Sequence, residues 1–200
     1  MTTSRTATRR WRSVAQDAAA CTRCELYRDA TATVFGAGPV PAPVLLVGEQ
    51  PGDVEDRRGE PFVGPAGAVL RRCMERVGLD PADTYLTNAV KHFRWEARGK
   101  RRIHQRPGIE HVRACHVWLE AELELVDPQV VVLLGAVAAG AFDRSIKVTR
   151  DRGTVRDVPG LEGRRTLVTV HPSSVLRARD RAAAEAAFVE DLRVLPTLLD

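Results

Sequence analysis

The sequence predicts an α/β fold: a three-layer α/β/α sandwich around a four-stranded, mostly parallel sheet. Two patterns predict it. Four β-type runs punctuate the chain at 44–47 (VLLV), 84–90 (TYLTNAV), 130–134 (VVVLL) and 167–170 (LVTV). Three of them are near-continuous apolar stretches, as expected of strands buried on both faces of a parallel sheet. Helix-like segments at 66–77, 108–126, 136–142 and 180–195 lie between and after them, and strands alternating with helices imply a layered α/β architecture. The chain has 200 residues, 44% hydrophobic and 28% charged. That suffices for a sizeable core, and with no repeat or low-complexity linker a single domain over 1–200 is expected.

In open parallel sheets the functional residues collect just past the carboxyl ends of the strands, so each strand end is read in turn. The first run is followed by GEQPGDVEDRRGEPFVGPAG (48–67), which carries Glu49, Gln50, Asp53 and Phe62. The second ends at Asn88 and leads into KHFRWEARGKRRIH. The third opens into GAVAAGAF, small residues starting a helix, and the fourth into HPSSVLR (171–177), with His171, Ser173 and Arg177. Three of the four ends thus carry polar loops shaped by glycine or proline. Turns alone do not need that chemistry, and these loops are read as a site.

Charge points to the same edge. The formal net charge is only +4, and just Lys91, Lys100 and Lys147 of the 30 basic residues are lysine. Yet residues 98–106 carry Arg98, Lys100, Arg101, Arg102 and Arg106 with no acid among them, which marks a basic loop (94–107) as an anion-binding surface. His104 sits inside it, where neighbouring cations disfavour imidazolium and leave a neutral ring.

No run approaches the roughly 18 apolar residues of a membrane helix, and MTTSRTATRRWRS lacks an apolar signal core. A cytoplasmic chain without membrane association is expected, and its cysteines are read as thiols. Cys21 and Cys24 form a CxxC pair able to chelate one metal or cluster. Cys73 recurs with Val69, Leu70 and Val77 at helical spacing and is assigned to the core. Cys115 could complete a site with this pair, the alternative being that these cysteines pack without a metal. The fourth ligand is sought among His92, His111 and His116, with His92 preferred because it follows a strand end. Spacing alone allows a Cys3His zinc site and an iron–sulfur cluster equally.

Taken together, GEQPGDVED, PFVGPAG, TNAVK and HPSSVLR resemble the motifs of the uracil-DNA glycosylase superfamily, nearest the branch that carries an iron–sulfur cluster. The resemblance runs from about Cys21 to Arg177. Two features depart from that branch: His92 stands where those enzymes have a cysteine, and the basic loop ending in KRRIH is inserted. Both resemble the UdgX subgroup, which binds uracil-containing DNA and becomes covalently attached through the loop histidine.

The resemblance implies a [4Fe-4S] cluster held by Cys21, Cys24, His92 and Cys115, the first two in an N-terminal segment (1–40). It implies uracil-containing DNA as the partner, single strands being favoured because an unpaired base is cheapest to extrude. Asn88 would read the O4/N3–H edge of uracil, Phe62 would stack on it, and Gln50 and Asp53 would shape the pocket. His171 would stabilise the departing base at O2. Lys100, Arg101, Arg102, Arg106, Ser173 and Arg177 would meet the DNA backbone or support the loops that do. His104 would attack the sugar in place of water, oriented by Glu49, in a single turnover by a monomer. Two other readings stay open: a conventional glycosylase that turns over, and a zinc-bearing nucleic-acid binder without activity. A nucleotide-binding domain is disfavoured, since neither GxGxxG nor GxxxxGK[ST] occurs.

Overall fold

The computed structural model describes residues 2–199. Four fully or nearly fully buried strands, β1 (Val44–Gly48), β2 (Thr84–Asn88), β5 (Val130–Leu134) and β7 (Arg165–Thr169), form the parallel body of one sheet. The sequence predicts four strands; the sheet has a fifth, β6 (Thr154–Arg156), antiparallel to β7 at the edge, giving the order β2-β1-β5-β7-β6. β6 is three mostly exposed residues, too short and polar to leave an apolar signature.

The basic segment, expected as a loop, is a second small sheet: β3 (Trp95–Arg98) pairs antiparallel with β4 (Arg101–His104), and Gly99 turns the chain at φ 59°. A positive φ at that turn suits glycine.

The strand faces alternate as period 2 demands. Leu45, Val47, Tyr85, Val131, Leu133 and Val168 face one core, with Leu119, Leu123 and Val126 of α4 (Ile109–Val126) and Val137 of α5 (Ala136–Phe142). Helix α1 (Thr2–Ala19) joins this layer through Trp11, whose Nε1 donates to the Tyr85 hydroxyl at 2.7 Å. Val44, Leu46, Val130, Val132, Leu134 and Leu167 face the other core. There they meet α3 (Pro65–Arg76), α7 (Ser173–Arg177) and α8 (Arg181–Leu192). Cys73 of α3 lies in this core, fully buried, and burial pushes its thiol up to about 11. The remaining helices are short: α2 (Asp53–Arg58) follows β1, and α6 (Val148–Asp151) precedes β6.

Local signals set the helix starts. Pro65 occupies the first turn of α3, and the Asp180 carboxylate accepts the Ala183 N–H at 2.9 Å to begin α8. The chain leaves β1 for β2 on one side and reaches β5 on the other. The crevice for a ligand therefore opens at the carboxyl end of β1.

Candidate active site

A cavity of about 790 Å³ opens at that crevice. It brings together Glu49, Gln50, Asp53, Phe62, Asn88, His104, Arg106, His171, Ser173 and Arg177, residues from three strand ends and the hairpin. Val54, Glu55, Ile103 and Leu176, which were not singled out from the sequence, also line it.

Asn88 ends β2, and Phe62 lies beside it. Both need Gly48: a Cβ there would strike the Asn88 amide oxygen and the Phe62 ring. Phe62 is buried with φ 56°, a left-handed conformation that costs a non-glycine residue on the order of 1–3 kcal/mol. Arg71 holds it there by donating to its carbonyl at 2.7 Å, and Gly67 leaves room beneath that carbonyl. The Phe62 ring is stacked with His171, 28° between planes and 6.2 Å between centroids. No described residue hydrogen-bonds the buried Asn88 amide, so its donor and acceptor face the cavity unused.

His171 Nδ1 accepts the Ser173 N–H at 3.2 Å, and the Ser173 hydroxyl, 2.8 Å from Nδ1, accepts from Arg177 at 3.0 Å. An accepting Nδ1 places the proton of the neutral ring on Nε2. Burial, then Arg177 and His104, push His171 down to about 4, so it stays neutral near pH 7. The Ser173 hydroxyl and Arg177, expected at the DNA backbone, thus also orient this imidazole.

His104 and Glu49 face each other, with Nε2 and Oε1 3.5 Å apart. Burial and then Arg177 lower the imidazole pKa, while burial raises that of Glu49 against the pull of Arg106 and Arg177. Half-exposed His104 also lies against Phe93, with centroids 5.9 Å apart. Gln50 secures the base of the hairpin: its amide nitrogen donates to the carbonyls of Arg94 and Gln105, and its oxygen accepts the Arg94 N–H. Its side chain is therefore committed to the hairpin rather than to a ligand.

Two of these side chains have partners within the protein. Arg102 is the first. It is bound to Asp53, reaches Asp56 at 2.6 Å and Thr31 at 3.1 Å, and lies over the rings of Phe93 and Trp95, each 5.4 Å from its guanidinium carbon. Asp53 in turn is committed to Arg102 and Arg57. Asp56, fully buried, was overlooked, though its place one helical turn from Asp53 marks a two-carboxylate receiver for a cation. Lys100 and Arg101 remain exposed at the hairpin tip and Arg106 at its base. Arg102→Met leaves buried Asp56 with only the Thr31 and Ala32 N–H groups and no countercharge, which is expected to cost about 3–5 kcal/mol and to free the hairpin. Limited trypsin digestion should then cut at Lys100 faster than in wild type. An unchanged cleavage rate and melting temperature would remove the clamp role.

Of the three histidines weighed as a fourth metal ligand, His111 is committed to the Gly108 N–H at 2.8 Å and to Glu25 at 2.6 Å, and His116 Nε2 lies 3.5 Å from Glu120. Buried His92 bonds Thr33 through Nε2 at 2.8 Å, and its Nδ1 has no partner. The Cys24 and Cys115 thiols share a hydrogen bond that pulls Cys24 down to about 6. Cys21 accepts from Trp118 at 3.2 Å, and the Lys91 N–H points at Cys115 at 3.5 Å. Cys24 and Cys115 thus come together, but among the described residues no three His, Cys, Asp or Glu side chains are close enough to hold a metal ion.

Beneath the site lies a buried polar network. Lys91 Nζ meets Glu122 at 2.5 Å, the Thr87 hydroxyl at 2.7 Å and the Asn88 carbonyl at 2.8 Å. Glu122 also accepts from Gly36, Tyr85 and Thr87. The two side chains are fully buried.

Comparison with known proteins gives the same direction. The family model of the uracil DNA glycosylase superfamily matches residues 35–193. A type-4 uracil-DNA glycosylase of Thermotoga maritima is 35% identical over 161 residues, 80% of this chain and 79% of its own length. One of Archaeoglobus fulgidus is 33% identical over 198 residues, covering 94% of this chain and 96% of its own. A third, of Pyrobaculum aerophilum, is 31% identical over 180 residues, 86% of each.

Proposed function

Because the chain belongs to the uracil DNA glycosylase superfamily, we propose that it excises uracil from DNA and is then captured by its own product, His104 becoming bonded to the sugar. The observation that carries the second half is the Glu49–His104 pair, 3.5 Å apart at the cavity mouth. In this reading the imidazole takes the place of an attacking water.

A uracil extruded from the stack enters between Phe62 and the unused Asn88 amide, whose donor and acceptor match the O4/N3–H edge. The C1′–N1 bond breaks with its electron pair going to uracil. The His171 Nε2–H stabilises the negative charge at O2, and uracil then takes a proton from solvent. Positive charge develops on the sugar beside the Glu49 carboxylate. The lone pair of neutral His104 forms the bond to C1′, and the ring's N–H proton passes to Glu49 or water. A carbon-substituted imidazole leaves poorly, so one turnover is expected. Lys100, Arg101 and Arg106 grip the backbone.

The resemblance to the iron–sulfur branch suggests a [4Fe-4S] cluster. Three sulfur donors and the unpartnered, buried Nδ1 of His92 suit such a group chemically. Cys21, Cys24, His92 and Cys115 would hold it, and it would cross-link the N-terminal segment to the hairpin base. Brown protein with broad absorbance near ~400 nm and about four irons per chain supports this; colourless protein with one zinc does not.

The test of capture is a denaturing gel of protein mixed with an oligonucleotide containing one uracil, beside a thymine control and His104→Ala. A shifted band that survives heat and SDS, seen only for wild type with uracil, is expected. Strand breakage at the uracil after alkali, with no shifted band, would mean ordinary turnover. An intact, unshifted strand would leave a binding module.

A further inference from the structure

Arg106 borders a second cavity besides the one above. It has a volume of about 510 Å³ and lies between the start of α4, helix α5 and residues 144–149. Its floor is apolar. Val137 and Ile146 are buried there, and Ile109 is 40% exposed, one of few large hydrophobic side chains left open to solvent. Its rim is cationic: Arg106, Arg144 and Lys147 are exposed, and no described carboxylate pairs with any of them. Of the acids nearest in sequence, exposed Glu110 lies against Gly108 and 3.4 Å from His111 Nδ1, and the others are committed elsewhere. Asp151 holds Arg150 at 2.7 Å and Arg156 at 3.1 Å, and Asp143 caps Ser145 at 2.8 Å.

Three exposed cations with no ion pair within 4 Å, around an apolar floor, suit a polyanion that also presents flat, weakly polar faces, which describes single-stranded nucleic acid. Continuity identifies the occupant further. The same arginine stands at the edge of both cavities, so a strand whose uracil fills the first must pass Arg106 to reach the second. We propose that the second cavity is a subsite for the nucleotide adjoining the uracil on the same strand. Its phosphates meet Arg106, Arg144 and Lys147, and its base lies on Ile109. A base seated there is unpaired, so this subsite also favours single-stranded substrate. The proposal rests on the uracil-DNA reading above.

The test compares uracil-dependent reaction (adduct plus released uracil) on four single-stranded oligonucleotides: uracil flanked on both sides, on the 5′ side only, on the 3′ side only, and on neither. Wild type should prefer the long substrate. In Arg144→Gln/Lys147→Gln that preference should fall about tenfold, and the slope of log affinity against log salt should shrink by about 1.4, twice the single-strand value per phosphate contact. The loss should follow one flank only, and Arg144→Lys/Lys147→Arg should restore the preference. Ile109→Asn should reproduce the loss of preference without altering the rim charge or the salt slope. A double glutamine variant that keeps both the preference and the salt slope overturns the subsite, as does a loss shared equally by both one-sided substrates. If wild type reacts with none of the four, the uracil-DNA reading itself fails, and the subsite with it.

Discussion

Glu49→Gln should slow the uracil-dependent reaction by about 10²–10⁴-fold, the range for removing a positioned acid–base group, without a comparable loss of stability. The glutamine keeps the shape of the side chain but can neither take the His104 proton nor offset charge on the sugar. The pH profile separates this role from a structural one. Glu49 is raised above its ordinary 4.5 by burial, and His104 is lowered below its ordinary 6.5 by burial and Arg177. Reaction needs Glu49 charged and His104 neutral, so both must lose a proton. The two shifts bring the titrations closer together than in water, and wild-type activity should fall with falling pH more steeply than a single titration allows. In Glu49→Gln only His104 titrates, so the acid limb should be shallower, with the slope of one proton. An unchanged two-proton limb would show that Glu49 is not one of the two groups.

Glu122→Gln is expected to destabilise the protein by about 3–5 kcal/mol, the usual result of stranding one charge of a buried pair. For a chain of this size that lowers the melting temperature by about 6–20 °C. The reason is geometric. Lys91 and Glu122 are fully buried, and the ammonium is bonded to Glu122, Thr87 and the Asn88 carbonyl. With the carboxylate neutralised, a cation remains where water cannot reach. Lys91→Met/Glu122→Leu removes both charges and should recover much of the loss in Tm. Activity should not recover in the double variant, because Asn88 has lost the group that bonds its carbonyl. Full recovery of both would show that the network holds the core without positioning Asn88.

The four parallel strands were legible because burial on both faces makes each a near-continuous apolar run, a local property of composition. Cys73 was legible for the same reason, being one position of an apolar helical stripe. The hairpin was not. WEAR and RRIH are charged and nearly wholly exposed on one side, and cross-strand pairing leaves no hydrophobic alternation when neither face enters the core. The fifth strand fails on length.

For the site, residue types and order along the chain sufficed to place Glu49, Asn88 and His171 together, since parallel strands present all their carboxyl ends at one edge. Which charges are free is a different matter. Arg102 looked like its neighbours Lys100 and Arg101, yet it is neutralised by carboxylates 46 and 49 positions away. The burial of Lys91 with Glu122 and the commitment of Gln50 to the hairpin are of the same kind. Sequence by itself determined the four parallel strands, the edge that carries the chemistry and the side chains available there, because periodicity and strand direction are properties of consecutive residues. Tertiary structure alone decided which of those side chains face the cavity unpaired. Electrostatic and hydrogen-bond partners are set by distance in space, and these partners come from segments that the sequence keeps far apart.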